Sequence, residues 1–126
     1  MTKYEAIHAF FASFGLPAYD EASVPTWTDD DLTQGNVPPY ITYHAAVSHF
    51  YGLPAAVICN VWDVSDSWAL VDSKADEIGL AVSGFRRLVC DEGYIVVTRG
   101  DPFAQRYADG PFKRQYINLV FTFITN

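Results

Sequence analysis

The fold is decided by a stretch near the end of the chain, Arg114-Gln115-Tyr116-Ile117-Asn118-Leu119-Val120-Phe121-Thr122-Phe123-Ile124-Thr125. Large apolar residues occupy every second position from Ile117 to Phe123, which is the period of a β-strand with one face in a hydrophobic core. The alternate positions form a mixed face, with Arg114, Tyr116, Asn118, Val120, Thr122 and Ile124. The pattern predicts a strand over about residues 112–125, buried on one side and neither plainly polar nor plainly apolar on the other.

Three earlier segments also have the composition of strands, at about residues 40–45, 55–62 and 94–99. A turn signal, Gly52-Leu53-Pro54, stands between the first two, so they could form a hairpin. Residues 100–111 are interpreted as a turn-rich loop that begins at the tripeptide Arg99-Gly100-Asp101.

Two segments have the apolar spacing of helices. The first carries Tyr4, Ile7, Phe10, Phe11 and Phe14 and ends at Gly15. The second follows the N-cap candidate Ser65 and carries Trp68, Val71, Ala75, Ile78, Val82 and Phe85. The second stripe could also be a coiled-coil seam, but it lasts for fewer than three heptads, which favours a helix that lies on a sheet.

Together these segments predict an α+β fold with the order α-β-β-α-β-β. We expect a four-stranded, largely antiparallel sheet with both helices packed on one face. The opposite face would display Tyr43 or His44, Asn60 or Trp62, and Tyr116. The 126 residues fit a single domain, residues 1–126, with a long loop at residues 16–39.

Composition limits the classes of function. The formal charge of -7 makes the surface repel phosphate, which disfavours tight binding to nucleic acid but does not prevent DNA from sliding past. No apolar run is long enough to span a bilayer, and the first residues lack the pattern of a signal peptide. Aromatic residues make up 16% of the chain, more than a core of this size needs, so some of the eight Tyr are expected at a partner surface.

Local signatures of catalysis are missing from the sequence. The triplet Asp29-Asp30-Asp31 could hold a divalent cation, but it lacks the spacing of a calcium loop and is interpreted as a solvated cluster. His44 and His49 do not have the spacing of metal ligands, and Cys59 is expected to be a small core side chain. With no nucleophile elbow and no phosphate-binding loop, the chain is predicted to have no catalytic activity, no cofactor and no metal.

A series of short motifs carries a resemblance to a known family. In chain order they are Tyr4-x-x-Ile7-x-x-Phe10-Phe11, Pro17-Ala18-Tyr19, Val24-Pro25, Pro39-Tyr40-Ile41-Thr42-Tyr43, Trp62-Asp63-x-Ser65-x-Ser67-Trp68, Lys74-Ala75-Asp76-Glu77-Ile78-Gly79, Arg99-Gly100-Asp101-Pro102-Phe103-x-Gln105, and Arg114-Gln115-Tyr116-Ile117-Asn118. The series spans nearly the whole chain and resembles the tail-terminator (tail-completion, minor capsid) proteins of long-tailed bacteriophages and related prophages.

The resemblance implies a structural virion protein at the head-proximal end of the tail, assembled in the cytoplasm of the bacterial host. Such a subunit forms a ring, hexameric in the family, that caps the tail tube and stops its polymerisation. The implied partners are other copies of the chain, the tail tube protein and a head-completion or connector protein. DNA would pass through the channel without specific binding, and no membrane is involved.

Charged residues are the candidate contacts of such a ring. We expect some of the acids Asp20, Glu21, Asp29, Asp30 and Asp31 to face the lumen or a neighbouring subunit. The late basic residues Arg99, Arg106, Lys113 and Arg114 could pair with acids of an adjacent subunit or of the tube, and Tyr116 stands on the mixed face. The alternatives are a head-completion (stopper) connector and a small-ligand-binding or enzymatic α+β domain.

Overall fold

A computed structural model describes residues 1–21, 39–44 and 54–125 of the chain. These residues form two helices and six strands. In chain order they are α1 (Lys3–Ala12), β1 (Ala18–Asp20), β2 (Tyr40–Tyr43), β3 (Pro54–Val64), α2 (Ala69–Ala81), β4 (Arg86–Cys90), β5 (Gly93–Asp109) and β6 (Phe112–Thr125).

The strands form one mixed sheet in the order β1-β2-β3-β6-β5-β4, which curls into a half-barrel. Strand β1 is parallel to β2, and every other neighbouring pair is antiparallel. Strand β6 lies between β3 and β5 and pairs with both. The strand whose alternation is clearest in the sequence therefore lies in the interior of the sheet.

Strand β5 is interrupted by a bulge. Arg99 pairs with Leu119 and Ala104 pairs with Ile117, so residues 100–103 lie opposite the single residue Asn118. A Cβ atom at Gly100 would stand 2.5 Å from the Asn118 side chain. The close approach therefore requires glycine at this position.

Both helices pack on the face of the sheet that carries the apolar alternation of β6. Phe10 and Phe11 of α1 lie against Phe121, with ring centroids 6.3 and 6.1 Å apart. Helix α1 begins with a capping box formed by Thr2 and Glu5. It contacts β4 at one end of the sheet and β1 and β2 at the other, so the curled sheet wraps around it.

The prediction for β6 is confirmed, because Ile117, Leu119, Phe121 and Phe123 are fully buried. The predicted four-stranded α-β-β-α-β-β sheet is wrong, since the sheet has six strands. Two of them are short or exposed. Strand β1 has three residues inside the predicted loop at 16–39, and Leu88 is the one buried residue of β4, so neither strand has a clear period in the sequence.

The predicted loop at residues 100–111 is also wrong in large part. Strand β5 continues through the bulge as far as Asp109, and Gly110, with φ +60°, joins it to β6. Gly100 and Pro102 resemble loop residues in the sequence because a bulge needs the same residue types as a turn. Of the predicted turn Gly52-Leu53-Pro54, Pro54 begins β3, and the other two residues lie outside the described residues. Residues 22–38 of the predicted long loop also lie outside them.

Neither described helix is long and apolar enough to cross a membrane.

Candidate interaction surface

The face of the sheet opposite the two helices carries a group of aromatic and polar side chains. One row crosses four neighbouring strands, with Tyr40 of β2 paired to Trp62 of β3, Trp62 to Arg114 of β6, and Arg114 to Tyr107 of β5. The next row pairs Asn60 with Tyr116. We call this set the aromatic–arginine surface; its members are Tyr40, Asn60, Trp62, Tyr107, Arg114 and Tyr116.

Arg114 is at the centre of this surface. Its guanidinium carbon lies 5.2 Å from the centroid of the Trp62 ring and 4.7 Å from that of Tyr107. Its Nη1 atom donates a hydrogen bond of 3.0 Å to Oδ1 of Asn60. Two aromatic contacts and a directed hydrogen bond hold the cation in one position, an arrangement that suits the planar guanidinium better than an ammonium group.

Other contacts fix the aromatic rings. Nε1 of Trp62 donates a hydrogen bond of 3.0 Å to Oγ1 of Thr42. The rings of Tyr107 and Tyr116 meet edge to face with their centroids 6.0 Å apart. The surface is therefore ordered by contacts within the protein before any partner binds.

Burial differs between the base and the rim of this surface. Asn60 is only 4% exposed, whereas Tyr107 is 42% exposed and Trp62 and Arg114 are intermediate. Rings that expose one part and anchor another through hydrogen bonds are typical of protein interfaces, where Tyr, Trp and Arg are enriched. The arrangement offers a pre-organised contact surface.

The predicted contact residues lie in different places. Arg114 and Tyr116 are on the aromatic–arginine surface, and Arg99 and Arg106 are on the helix-covered side. Arg106 pairs with Asp72 of α2, and its guanidinium carbon lies 5.0 Å from the Trp68 ring centroid.

Arg99 is held at the end of α2. Its Nη2 and Nε atoms donate hydrogen bonds of 2.7 and 3.2 Å to the carbonyl oxygen of Gly79. Its guanidinium carbon also lies 5.4 Å from the ring centroid of Phe103 in the bulge. Arg99 therefore connects the bulge of β5 to the helix.

Two of the predicted acidic residues lie at the β1 end of the sheet. Asp20 ends β1, and Oε2 of Glu21 lies 3.8 Å from Nδ1 of His44. Burial, and to a smaller extent the charge of Asp20, raise the pKa of Tyr43 above its usual value. Asp29, Asp30 and Asp31 lie outside the described residues.

Two side chains with reactive potential, Cys59 and His8, have surroundings that the structure describes. Cys59 is completely buried, and this burial raises the pKa of its thiol, so the nucleophilic thiolate is disfavoured. Nδ1 of His8 lies 2.8 Å from the Tyr43 hydroxyl oxygen at the edge of the core. In the described part of the chain, no three His, Cys, Asp or Glu residues are grouped so that they could hold a metal ion.

The sequence pattern located only part of the aromatic–arginine surface. Asn60 and Trp62 were alternatives for the displayed face, and both are on it because they are two residues apart on one strand. Tyr43 is on the core side, where its ring stacks on Phe11 at 4.7 Å. Tyr107 was missed because residues 100–111 have the composition of a loop.

Comparisons of the chain with protein-family models, with curated proteins and with solved structures found no match.

Proposed function

We propose that this protein is a structural virion subunit of the tail-terminator type. Copies of it form a hexameric ring at the head-proximal end of a phage tail, cap the tail tube and stop its polymerisation. The outer side of the ring provides the surface to which a head-completion protein joins. The subunit acts by shape and contact and has no catalytic step.

The observation that carries this proposal is the aromatic–arginine surface. A subunit that ends a polymer must bind the last ring of the tube with one surface and must not reproduce that surface on its other side. The face of the sheet opposite the two helices, the helix-free face, suits the binding role, because its Tyr, Trp and Arg side chains are ordered in advance and partly exposed. We assign this face to the tail tube protein.

The ordered motifs quoted above support the same class of protein. The charge of the chain agrees with a channel that DNA crosses, since a surface with net charge -7 repels phosphate and does not retain the passing duplex. The proposal therefore requires no specific contact with DNA.

The proposal is tested by electron microscopy of tails assembled in cells that lack this protein. We expect tails longer than normal and without heads, since nothing would stop the tube or join it to a head. Tails of normal length that carry heads would contradict the proposal. The position of the labelled protein in the particle separates a terminator from a head-completion connector.

A variant of the aromatic–arginine surface tests the assigned contact. We expect Trp62→Ala to weaken binding to tail tube ends, because it removes an anchored ring that contacts Arg114. The matched control is Leu80→Ala, which truncates a side chain that is 74% exposed on α2. If both variants bind purified tube ends as tightly as the unmodified protein does, the aromatic–arginine surface is not the contact with the tail tube protein.

A further inference from the structure

Strand β4 ends the described sheet on one side. It pairs with β5 on its inner edge, and no described strand pairs with its outer edge. Just after β4, the backbone N–H of Asp91 donates a hydrogen bond of 2.7 Å to the carbonyl oxygen of Met1, and this bond points away from β5. The outer edge of β4 therefore already holds one backbone group of another segment at its far end.

The direction of this bond shows which other backbone groups face the outer edge. Successive residues of a strand turn their N–H and C=O groups to opposite edges. The groups of Val89 and Arg87 therefore face the same side as the N–H of Asp91. A row of such groups on an edge strand is a template for a further strand.

A groove beside this edge has room for side chains of an added strand. It has a volume of about 220 Å³ and runs between β4 residues 86–89 and the side of α1 that carries Ala9 and Ser13. Leu88 lies on the α1 side of β4 and is buried, whereas Val89 points to the other side and is 66% exposed. An added strand would thus meet apolar groups on both faces.

Two cations flank the outer edge of β4. Arg86 and Arg87 are both exposed, and they lie on opposite faces of β4 because adjacent side chains of a strand alternate. The guanidinium carbon of Arg87 lies 5.6 Å from the ring centroid of Tyr94, but neither arginine has a carboxylate partner in the described part of the chain. In a chain of net charge -7, this edge can accept acidic groups.

The composition of β4 decides against a second copy of this strand as the occupant. Residues 85–90 contain two arginines and no acid, so pairing of β4 with β4 would leave the guanidiniums without carboxylates. A strand with two adjacent acids would place one acid on each face, near Arg86 and Arg87, where opposite charges on neighbouring strands attract. Apolar residues next to these acids would meet Leu88 and Val89.

We propose that the outer edge of β4 binds an extended acidic segment of another protein, which adds to the sheet as a further strand. Backbone hydrogen bonds to Val89 and Arg87 provide the affinity, and the two arginines select acidic sequences. This site goes beyond the proposed function, because β4 carries no residue of the aromatic–arginine surface. Its binding does not depend on whether the protein caps a tail.

Binding of a synthetic peptide to the full chain tests the proposal. The probe is a fluorescein-labelled peptide of two glutamates, two valines and two glutamates, which has the acidic and apolar pairs in both directions. In a fluorescence anisotropy titration at low salt we expect it to bind, and we expect the same peptide with lysines in place of the glutamates to bind at least about tenfold more weakly. Failure of the acidic peptide to bind, or equal binding of the lysine peptide, would overturn the proposal.

Two changes to the backbone separate strand addition from simple attraction between charges. Val89→Pro removes an N–H group at the outer edge, where proline is tolerated, and should abolish binding; Val89→Ala keeps the N–H and should still bind. Circular dichroism checks that both variants are folded. The acidic peptide N-methylated at both valines needs no variant, and it should not bind because one of two adjacent residues faces β4 in either alignment. Unchanged affinity after either change would contradict strand addition.

Replacement of the two arginines tests the charge preference. Arg86→Gln with Arg87→Gln should weaken binding of the acidic peptide at least about tenfold. The control, Leu80→Glu with Gln105→Glu, changes the net charge equally at two exposed positions outside β4 and should bind like the unmodified protein. Equal losses in both variants would show that net charge, and not the β4 edge, attracts the peptide. A dimer of the unmodified protein that Val89→Pro abolishes would show that a second copy occupies the edge, and would also overturn the proposal.

Discussion

The two faces of β6 differ in how they are stabilised, although the same strand supplies both. On the helix-covered face, Ile117, Leu119, Phe121 and Phe123 are fully buried among side chains of both helices and the neighbouring strands. On the other face, Tyr116, Asn118, Val120 and Thr122 are only partly buried. Packing of apolar volume holds the first face, and hydrogen bonds and ring contacts hold the second.

This difference indicates where substitutions should affect folding and where they should affect binding. Filled apolar volume cannot be removed without leaving a cavity, so the covered face should be sensitive to truncation. The helix-free face keeps part of its surface in water, so many changes there should leave the fold intact. Substitutions on the two faces can measure this contrast, and the largest effect is expected for a truncation in the core.

Phe121→Ala should reduce the free energy of unfolding by about 3–5 kcal/mol, because it leaves a cavity among Phe10, Phe11 and Phe123. The measurement is urea unfolding followed by circular dichroism. Val120→Ala, on the other face of the same strand, is the control and should cost about 1 kcal/mol or less. Equal losses would mean that the two faces are packed alike.

Asp72→Ala should cost about 1–3 kcal/mol, because the buried Gln115 loses the acceptor of its 2.6 Å hydrogen bond and Arg106 loses its ion pair. Urea unfolding followed by circular dichroism measures this loss in the free energy of unfolding. Asp76→Ala removes an exposed acid from the same helix and should change stability little. A loss no larger than that of Asp76→Ala would show that Asp72 does not hold α2 on the sheet.

Val97→Thr places a hydroxyl in the fully buried core and should cost about 1–2 kcal/mol. Val120→Thr makes the same change on the partly exposed face and should stay within about 0.5 kcal/mol of the unmodified protein. Thermal unfolding of both variants measures the difference. If Val120→Thr is the more destabilising of the two, the assignment of covered and helix-free faces is wrong.

Arg114→Lys should have the smallest effect on the fold, a loss of about 1 kcal/mol. Lysine keeps the charge but cannot stack its head group on Trp62 and Tyr107 while donating to Asn60 in the same geometry. Arg86→Lys, at an exposed position on β4, is the control for the chemical change. If the contacts of Arg114 order the aromatic–arginine surface, thermal unfolding should show Arg114→Lys to be less stable than Arg86→Lys. Equal stabilities of the two variants would contradict this.

The helices were predictable because each carries a long apolar stripe. The first pattern placed a helix close to Lys3–Ala12, and the second placed one that overlaps Ala69–Ala81, although the helix begins after the predicted cap at Ser65. The buried face of β6 was predictable for the same reason, because apolar residues that alternate over many positions indicate a strand with one face in the core. These are the elements in which local pattern and tertiary burial agree.

The number of strands was not predictable from pattern. Residues 18–20 form a strand only because β2 lies beside them in parallel, and residues 86–90 form one because β5 folds back along them. The second half of β5 depends on β6 in the same way. Residues 104–108 are exposed and become a strand by pairing with residues 113–117 of β6.

The aromatic–arginine surface also combines features that the sequence predicts with features that only the fold decides. Tyr116, Asn60 and Trp62 could be assigned to a displayed face from their spacing along single strands, because side chains alternate on any strand. That Arg114 lies between Trp62 and Tyr107 depends on the register of three strands, which no local pattern contains. Alternation within each strand thus follows from the order of residues in the chain. The neighbours across the sheet follow from hydrogen-bonded pairing between segments far apart in that order, and only the folded structure makes those pairings.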